Sequence, residues 1–324
     1  MDRKDPQTLA ELGEFGLIGR IRCLFPAPEG VRGIGDDCAV LTQRSGLDSV
    51  VSTDMLIEGT HFLREDIPPF DLGWKSAAVN LSDIAAMGGK PTGTFLSLAL
   101  PADLPVAWIE AFLDGYAELS GHFDVPLLGG DTTASKSGLV INITQTGYCD
   151  KPVLRSGAEV GDYVMVTGPL GASRAGLELL ARFGRKKAEE ISPQCVKAHI
   201  TPTPKIAEGL FLAKSGVVTA MMDISDGLAS DAKRICEESG VGMEIYPEKL
   251  PISDCLREAA GYLGLSEEKI ALAGGEDYEL VFTTPKPEEV AEAAVVIGRV
   301  VEGSEPLTVT GGEKIKPTGT WTHF

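Results

Sequence analysis

The sequence predicts a mixed α and β protein of two domains, and three observations support this. The chain has 324 residues, and compact domains commonly hold about 150 residues each. Apolar runs rich in β-branched residues alternate with helical patterns along most of the length. A polar stretch at 151–161 precedes a fresh apolar run. We therefore expect domains at 1–150 and 151–324.

Strands are expected where short apolar runs end at glycine, proline or polar residues. They cover 50–52, 94–100, 125–128, 139–148, 163–167, 217–224, 241–246, 278–283 and 295–301. Helices are expected where apolar residues recur every three or four positions. They cover 71–87, 106–122, 172–183, 204–214, 228–239 and 252–263. Trp108, Phe112 and Leu119 share one helical face, which indicates core packing. Tyr116 lies on that face too, and either packs in the core or contacts a ligand.

Charge and composition exclude several classes of protein. The chain has 29 Lys and Arg residues against 47 Asp and Glu residues, a formal net charge of −18. Such a surface repels phosphate backbones and anionic lipids, so we expect no nucleic-acid or membrane partner. No stretch approaches the ~18 consecutive apolar residues of a spanning helix. The six cysteines form no C-x-x-C pair, which disfavours a cysteine zinc site and suits reduced thiols. With no secretory pattern near the start, the expected location is cytoplasmic.

The strongest local signal is a set of acidic residues beside glycine, serine or threonine, which we interpret as turns at the ends of apolar strands. One such residue alone is more often an Asx-turn or a helix cap than a ligand. Their recurrence supplies hard oxygen ligands, which favour Mg²⁺ or Ca²⁺ over zinc, and the absence of an EF-hand pattern favours Mg²⁺. Mg²⁺ is usually held by a few carboxylates together with substrate phosphates. The segments are 33–37 (GIGDD), 52–54 (STD), 80–83 (NLSD), 129–133 (GGDTT), 223–227 (DISDG) and 274–277 (GGED).

Standard phosphate-binding loops do not explain these segments. No G-x-x-x-x-G-K-[ST] loop is present. Gly33-Ile34-Gly35 begins like a dinucleotide motif, but Asp36 and Asp37 follow, and two carboxylates repel a bare pyrophosphate unless a metal lies between them. The segment 168–173 (GPLGAS) either presents backbone N–H groups to an anion or forms a strand-to-helix turn with a serine cap.

In this order, the segments resemble the thiamine-monophosphate kinases, and the match runs nearly end to end. The acidic segments alone would indicate only the wider aminoimidazole ribonucleotide synthetase-like (PurM-like) superfamily. The family is indicated by 78–88 (AVNLSDIAAMG), by His61-Phe62 and by 321–324 (WTHF). Ala134-Ser135 departs from the Arg-Gly that family members often carry there, which leaves open where a basic phosphate contact lies.

The resemblance implies ATP-dependent phosphorylation of thiamine monophosphate to thiamine diphosphate with several Mg²⁺ ions. It implies a two-domain fold in which an N-terminal mixed sheet pairs across a homodimer interface and a C-terminal α/β domain completes the site. By position it assigns Mg²⁺ to Asp37, Ser52, Thr53, Asp54, Asp83, Asp131, Asp223 and Asp226. It assigns ATP to Gly130, Asp131, Arg155 and Ser225, and thiamine phosphate to His61, Glu276 and Trp321. Asp36 and Asp277 stay unassigned, and His122 and His199 are interpreted as structural.

The residue types suit this chemistry. A phosphate monoester has a second pKa of about 6, so its attacking oxygen is mostly deprotonated at pH 7 and needs no general base. The difficulty is to bring two anionic phosphates together in line, which metals and positioning groups solve. A thiazolium is a permanent cation, which a carboxylate attracts and an indole face stabilises.

Other functions remain open on the sequence alone. A ring-closing purine synthetase or a selenophosphate synthetase would use the same fold with another acceptor, although Cys23 lies in a helical pattern without the glycine-rich loop of a selenophosphate nucleophile. A hydrogenase maturation partner would need a C-terminal cysteine where this sequence has Phe324. The last alternative is a nucleotide-binding or Mg²⁺-binding module without turnover.

Overall fold

The N-terminal half contains a six-stranded sheet in the order β1-β2-β3-β6-β4-β5. The computed structural model describes residues 31–32, 36, 38–42, 46–310 and 313–315. Neighbouring strands are antiparallel except for the parallel pair β4–β5. The strands are β1 (Val31–Arg32), β2 (Ala39–Thr42), β3 (Asp48–Ile57), β4 (Lys90–Pro101), β5 (Leu127–Ser135) and β6 (Val140–Cys149).

Two helices, α1 (Pro69–Ala86) and α2 (Val106–His122), cover one face of this sheet. Side chains alternate between the two faces of a strand. In β3, Val50, Ser52 and Leu56 are buried, whereas Thr53 and Met55 are exposed. The sheet therefore has one face packed on helices and one open face.

The C-terminal half contains a seven-stranded sheet in the order β13-β12-β9-β11-β7-β10-β8, with helices packed against it. Every residue of β8 and β10 is buried, and α1 packs against β8 at the end of the sheet. The strands are β7 (Tyr163–Val166), β8 (Ala220–Asp223), β9 (Gly242–Ile245), β10 (Leu280–Thr284), β11 (Val295–Val301), β12 (Pro306–Thr310) and β13 (Glu313–Ile315). The helices are α3 (Ala172–Ile191), α4 (Pro193–Ile200), α5 (Ile206–Ser215), α6 (Leu228–Ser239), α7 (Asp254–Leu263) and α8 (Glu267–Ala273), with short 3-10 helices at Pro247–Lys249 and Pro287–Glu289.

The mixed α and β class is confirmed, and the predicted helices are present. The helix predicted to end at Phe183 is interrupted at the next residue, Gly184, and then continues to Ile191. The core interpretation of Phe112 and Leu119 is confirmed by their burial. Tyr116 is a core residue as well, since its hydroxyl lies 2.7 Å from Thr94 Oγ1 and burial raises the pKa of its phenol to about 12.

Three of the predicted turns are wrong. Residues 52–54 lie inside β3 and residues 129–133 lie inside β5. Asp54 is opposite Ile143 of β6, and Asp131 is opposite Ser97 of β4. Pairing with these neighbours satisfies the backbone hydrogen bonds that a turn would otherwise satisfy locally. Residues 80–83 lie in α1, whereas 224–227 and 274–277 are loops as predicted.

No helix in the described parts of the chain combines the length and the apolar character that crossing a bilayer requires.

Helices α1 and α2 approach each other closely because a glycine stands at the contact. A Cβ added at Gly115 of α2 would lie 1.9 Å from the backbone oxygen of Phe70, closer than two atoms can pack. At Gly121, in the same helix, an added Cβ would meet nothing within 4 Å.

These two glycines form a matched pair for a stability test. We expect Gly115→Ala to lower the free energy of unfolding by about 3 kcal/mol, since overpacking must push the helices apart. Gly121→Ala should raise it by up to ~1 kcal/mol, because alanine is the better helix former at an exposed position. Urea unfolding followed by circular dichroism measures both. Equal effects of the two substitutions would contradict the close contact.

The loop that precedes β10 is anchored to the start of α3 by Asp277. Its Oδ2 accepts a hydrogen bond of 2.7 Å from the backbone N–H of Gly171. Burial raises the pKa of the Asp277 carboxyl to about 8, against the opposing effect of the backbone N–H groups of Gly171 and Ser173. Asp277 thus holds a proton in the folded protein at pH values where an unfolded chain has released it.

This raised pKa has a defined effect on stability. The folded state binds the additional proton, so the contribution of Asp277 is complete below about pH 4 and is lost as the pH rises towards about 8. We expect the decline in the urea midpoint between about pH 5 and about pH 8 to be shallower in Asp277→Asn than in the wild type. Asp103→Asn, an exposed control, should follow the wild type. If the Asp277→Asn curve ran parallel to the wild type, the raised pKa would be refuted.

Candidate functional site

One face of α1 joins the two halves of the chain. The Nζ atom of Lys75 lies 3.0 Å from Oε2 of Glu276. The hydroxyl of Ser82 donates a hydrogen bond of 2.6 Å to Oδ2 of Asp223. Residues 75 and 82 are two helical turns apart, so both side chains leave the helix on the same side. The interface between the halves therefore runs along this face of α1.

Carboxylates from both halves lie near enough to the buried phenol of Tyr278 for their charges to act on it. Burial raises its pKa well above the usual range, and the charges of Glu276, Asp54, Asp223 and Asp83 raise it further. These acids belong to the loop before β10, to β3, to β8 and to α1, respectively. The structure thus brings together residues predicted to bind Mg²⁺ and a residue predicted to bind thiamine phosphate.

Two serines orient the carboxylates of this group. Ser52 of β3 hydrogen-bonds to Asp83 Oδ2, and Ser82 hydrogen-bonds to Asp223 Oδ2. Ser52 is itself a predicted Mg²⁺ ligand and is buried. A carboxylate can accept several hydrogen bonds or bind a cation, so a serine bond at one oxygen serves to orient the group.

The loop after β8 is held by Asp231, an acid that sequence reasoning missed. Its Oδ2 accepts a hydrogen bond of 3.1 Å from the backbone N–H of Asp226. Burial raises the pKa of Asp231 well above the usual range, as do the charges of Asp226 and Asp223, whereas Arg155 lowers it. Arg155, a predicted ATP ligand, therefore lies near this acidic loop. The available signal was the position of Asp231 in the first turn of a predicted helix.

The loop carrying Glu276 is strained and closely attached to the loop after β8. Glu276 has φ +61° and Tyr278 has φ +52°, in the left-handed region that non-glycine residues rarely adopt. The backbone N–H of Glu276 donates to the oxygen of Ser225 at 2.7 Å. A Cβ at Gly275 would lie 2.4 Å from that same oxygen. The close approach needs glycine, and it places Glu276 beside the predicted ATP ligand Ser225.

The carboxylate of Glu276 has two partners. Its Oε2 lies 3.0 Å from Lys75 Nζ and 3.1 Å from His199 Nδ1, and Nδ1 lies 3.2 Å from the Ser173 hydroxyl. Burial would raise the pKa of Glu276, but Lys75 and His199 outweigh it, so the pKa lies below the usual range. Burial and Lys75 lower the pKa of His199, against the opposing effect of Glu276.

Sequence reasoning missed Lys75, which sits in a helical pattern without a motif of its own. His199, interpreted as structural, contacts the predicted substrate residue Glu276. These contacts are visible only in the folded chain, because positions 75, 199 and 276 are far apart in the sequence.

Other predicted residues are not brought into this group. Thr53 lies on the open face, where its hydroxyl donates to Ile143 O at 2.9 Å. Asp131, opposite Ser97, is exposed, and its Oδ1 accepts from the N–H of Thr132 at 2.9 Å. The strand pairing places Asp131 on the same face as Thr53 and on the opposite face from Asp54.

The remaining predicted residues are dispersed. Gly130 lies in β5 opposite Leu96. His61 follows β3, and its Nδ1 accepts a hydrogen bond of 3.0 Å from the N–H of Ile57. Asp37 and Trp321 lie outside the described residues.

The donor chemistry of the acidic group fits Mg²⁺ bound together with phosphates. Within the described part of the chain, no group of three or more His, Cys, Asp or Glu side chains is arranged to hold an ion by itself. Mg²⁺ commonly takes one or two carboxylates, several waters and substrate phosphate oxygens. The carboxylates of Asp83 and Asp223, which both act on the phenol of Tyr278, provide ligands of this kind.

Comparison with known proteins agrees with the fold. Residues 35–149 match the AIR synthase related protein, N-terminal domain, and residues 159–309 match the AIR synthase related protein, C-terminal domain. The thiamine-monophosphate kinase of Aquifex aeolicus is 39% identical over 321 residues, covering 98% of this chain and 99% of that protein.

Solved structures give the same result. A structure of AaThiL complexed with AMPPCP and TMP is 38% identical and has a TM-score of 0.90, covering 99% of this chain and 100% of the solved chain. The thiamine-monophosphate kinase of Stenotrophomonas maltophilia is 35% identical with a TM-score of 0.74, covering 93% and 97% of the two chains. This chain therefore belongs to the thiamine-monophosphate kinase family of AIR synthase related proteins.

Proposed function

We propose that this protein transfers the γ-phosphoryl group of ATP to thiamine monophosphate, producing thiamine diphosphate and ADP. The observation that carries the proposal is the likeness, along nearly the entire chain, to a structure that contains AMPPCP and TMP. The acidic group at the junction of the two halves provides the chemistry that this reaction needs.

The reaction requires positioning and charge compensation. The acceptor phosphate is already mostly deprotonated at pH 7, so no residue needs to remove a proton from it. Two anionic phosphates must approach in line, and their repulsion is the main barrier that the protein can lower. Bound Mg²⁺ supplies the compensating charge. The protein's own groups hold the two substrates and the ions in place.

We assign Mg²⁺ binding to acids of both halves. Asp54, Asp83, Asp223 and Asp226 are supported by their shared electrostatic environment. Ser52 is supported by its bond to Asp83. Asp37, Thr53 and Asp131 are assigned by resemblance alone.

We assign the two substrates to different parts of the site. Gly130, Asp131, Arg155 and Ser225 would bind ATP, and the guanidinium of Arg155 is a fork-shaped donor suited to phosphate oxygens. His61, Glu276 and Trp321 would bind the thiamine part.

Incubation with ATP, Mg²⁺ and thiamine monophosphate tests the activity directly. We expect thiamine diphosphate and ADP in equal amounts, because the transfer has no hydrolytic step. Chromatographic quantification of both products measures the ratio. Folded protein that forms no thiamine diphosphate at any Mg²⁺ concentration would refute the proposed function.

Substitution of the acids tests the Mg²⁺ assignment. We expect Asp54→Asn and Asp131→Asn to lower kcat by about 100-fold or more and to raise the Mg²⁺ concentration needed for half-maximal rate, since each loses a charge that holds the metal. Asp114→Asn, an exposed change on α2, serves as the control and should leave the rate unchanged. Full activity in both Asp54→Asn and Asp131→Asn would show that the metal assignment is wrong.

We also propose that the protein is a homodimer that pairs through the open face of the N-terminal sheet and the β5 edge. Met55, Phe95, Leu127 and Leu128 are large apolar residues of this sheet that stay between 39% and 58% exposed. Among the described strands, β5 pairs only with β4. An exposed apolar edge strand is a natural surface for association.

Leu128 provides a test of this interface. Leu128→Glu should convert the dimer to monomer at micromolar concentration, because the interface would have to bury a carboxylate without a partner. Val160→Glu is the matched control, since Val160 has the same 58% exposure in the C-terminal half. Sedimentation velocity measures both masses. A wild-type monomer, or a Leu128→Glu dimer, would contradict the proposed interface.

We propose a domain boundary between residues 150 and 151, where the polar stretch joins the two sheets, and a cytoplasmic location. The acidic charge and the biosynthetic role of the family support that location.

A further inference from the structure

Helix α1 carries a lysine that has almost no contact with solvent. The side chain of Lys75 is 1% exposed, and its Nζ hydrogen-bonds to Glu276 at 3.0 Å. A buried ammonium without a counter-charge is strongly unfavourable, so this position requires a carboxylate. In the described parts of the chain, Glu276 alone hydrogen-bonds to Nζ. Lys75 is therefore a fixed positive charge that acts on one carboxylate oxygen.

His199 contacts the same oxygen. Its Nδ1 lies 3.1 Å from Glu276 Oε2, and the hydroxyl of Ser173 lies 3.2 Å from Nδ1. An ionised carboxylate only accepts hydrogen bonds, so the Nδ1–H tautomer is the one that fits. Glu276 Oε2 is thus fixed by α1 of the N-terminal half and by α4 of the C-terminal half.

The other oxygen of Glu276 has a different environment. No described residue donates a hydrogen bond to Oε1, and the Glu276 side chain is 29% exposed, against 1% for Lys75 and 10% for His199. The backbone at Glu276 is fixed as well, by its bond to Ser225 O. Both the main chain and one carboxylate oxygen are therefore held while Oε1 stays available.

We propose that Lys75 and His199 are positioning residues: they hold Glu276 Oε2 so that Oε1 accepts a hydrogen bond from the thiamine part of the substrate. This inference rests on the proposed function. Lys75 offsets the charge of Glu276, so the carboxylate acts as an oriented acceptor rather than as a lone anion. An acceptor fixed in advance lowers the entropy loss that substrate binding has to overcome.

The test compares KM for the two substrates in Lys75→Met and His199→Leu. Each variant frees the Glu276 carboxylate, so KM for thiamine monophosphate should rise by about tenfold or more, the usual effect of a lost charge-assisted hydrogen bond. KM for ATP should stay within about twofold. His199→Asn, whose side-chain N–H can replace Nδ1–H, should restore most of the affinity. Lys214→Met, an exposed loss of charge in α5, is the control and should match the wild type.

A double variant identifies the residue through which Lys75 acts. In Lys75→Met with Glu276→Gln, KM for thiamine monophosphate should rise no further than in Glu276→Gln alone. If Lys75→Met does not fold, His199→Leu and its double variant with Glu276→Gln carry the test.

Three results would overturn the inference. The first is an equal rise in KM for both substrates. The second is a rise in KM for thiamine monophosphate in the double variant that equals the product of the rises in the two single variants. The third is a lower unfolding temperature with unchanged KM values. If the wild type converts thiamine monophosphate and the variants give one of these results, only the positioning role is refuted. A wild type that does not convert it refutes the proposed function and the inference together.

Discussion

The contact between Lys75 and Glu276 is the constraint on which the arrangement of the two halves depends. A buried ammonium must be neutralised, and the neutralising carboxylate comes from a loop 201 positions away in the sequence. The same face of α1 bonds to Asp223 through Ser82. Lys75 and Ser82 are two fixed points on α1, and together they determine where Glu276 and Asp223 lie relative to this helix. The candidate site therefore lies at the junction of the halves, where elements from both contribute groups.

The acids at this junction are held together despite their mutual repulsion. Asp54, Asp83 and Asp223 all act on the phenol of Tyr278, and Asp226 acts with Asp223 on Asp231. Strained backbone at Glu276 and Tyr278 adds to the conformational cost. Such costs are typical of sites where binding groups are arranged before the ligands arrive. Cations bound there would invert the local charge, so an acidic protein can still collect two phosphates.

Much of the fold could be predicted from local pattern, because apolar residues recur with a period of 3.6 in helices and 2 in strands, and neighbouring residues are enough to show this. The helix at 106–122 and the strand at 295–301 have the predicted bounds. The segments 52–54 and 129–133 were misinterpreted because aspartate beside serine, threonine or glycine has the same local chemistry in a turn and in a strand. Their partners, Ile143 and Ser97, decide the outcome and are distant in the sequence. Lys75 and His199 could not be assigned for the same reason. The opposite faces of Asp54 and Asp131 follow only from the register of four strands.

On the proposed function, the junction of the two halves binds a nucleotide, Mg²⁺ and a phosphorylated thiamine at the same time. The most direct measurement is the unfolding temperature of the intact protein with Mg²⁺ and AMPPCP, before and after addition of thiamine monophosphate. Because ligands that bind only the folded state stabilise it, thiamine monophosphate should raise the temperature further, and by more than thiamine or inorganic phosphate does. An unfolding temperature that does not change on addition of thiamine monophosphate, or that thiamine and inorganic phosphate raise equally, would contradict the account.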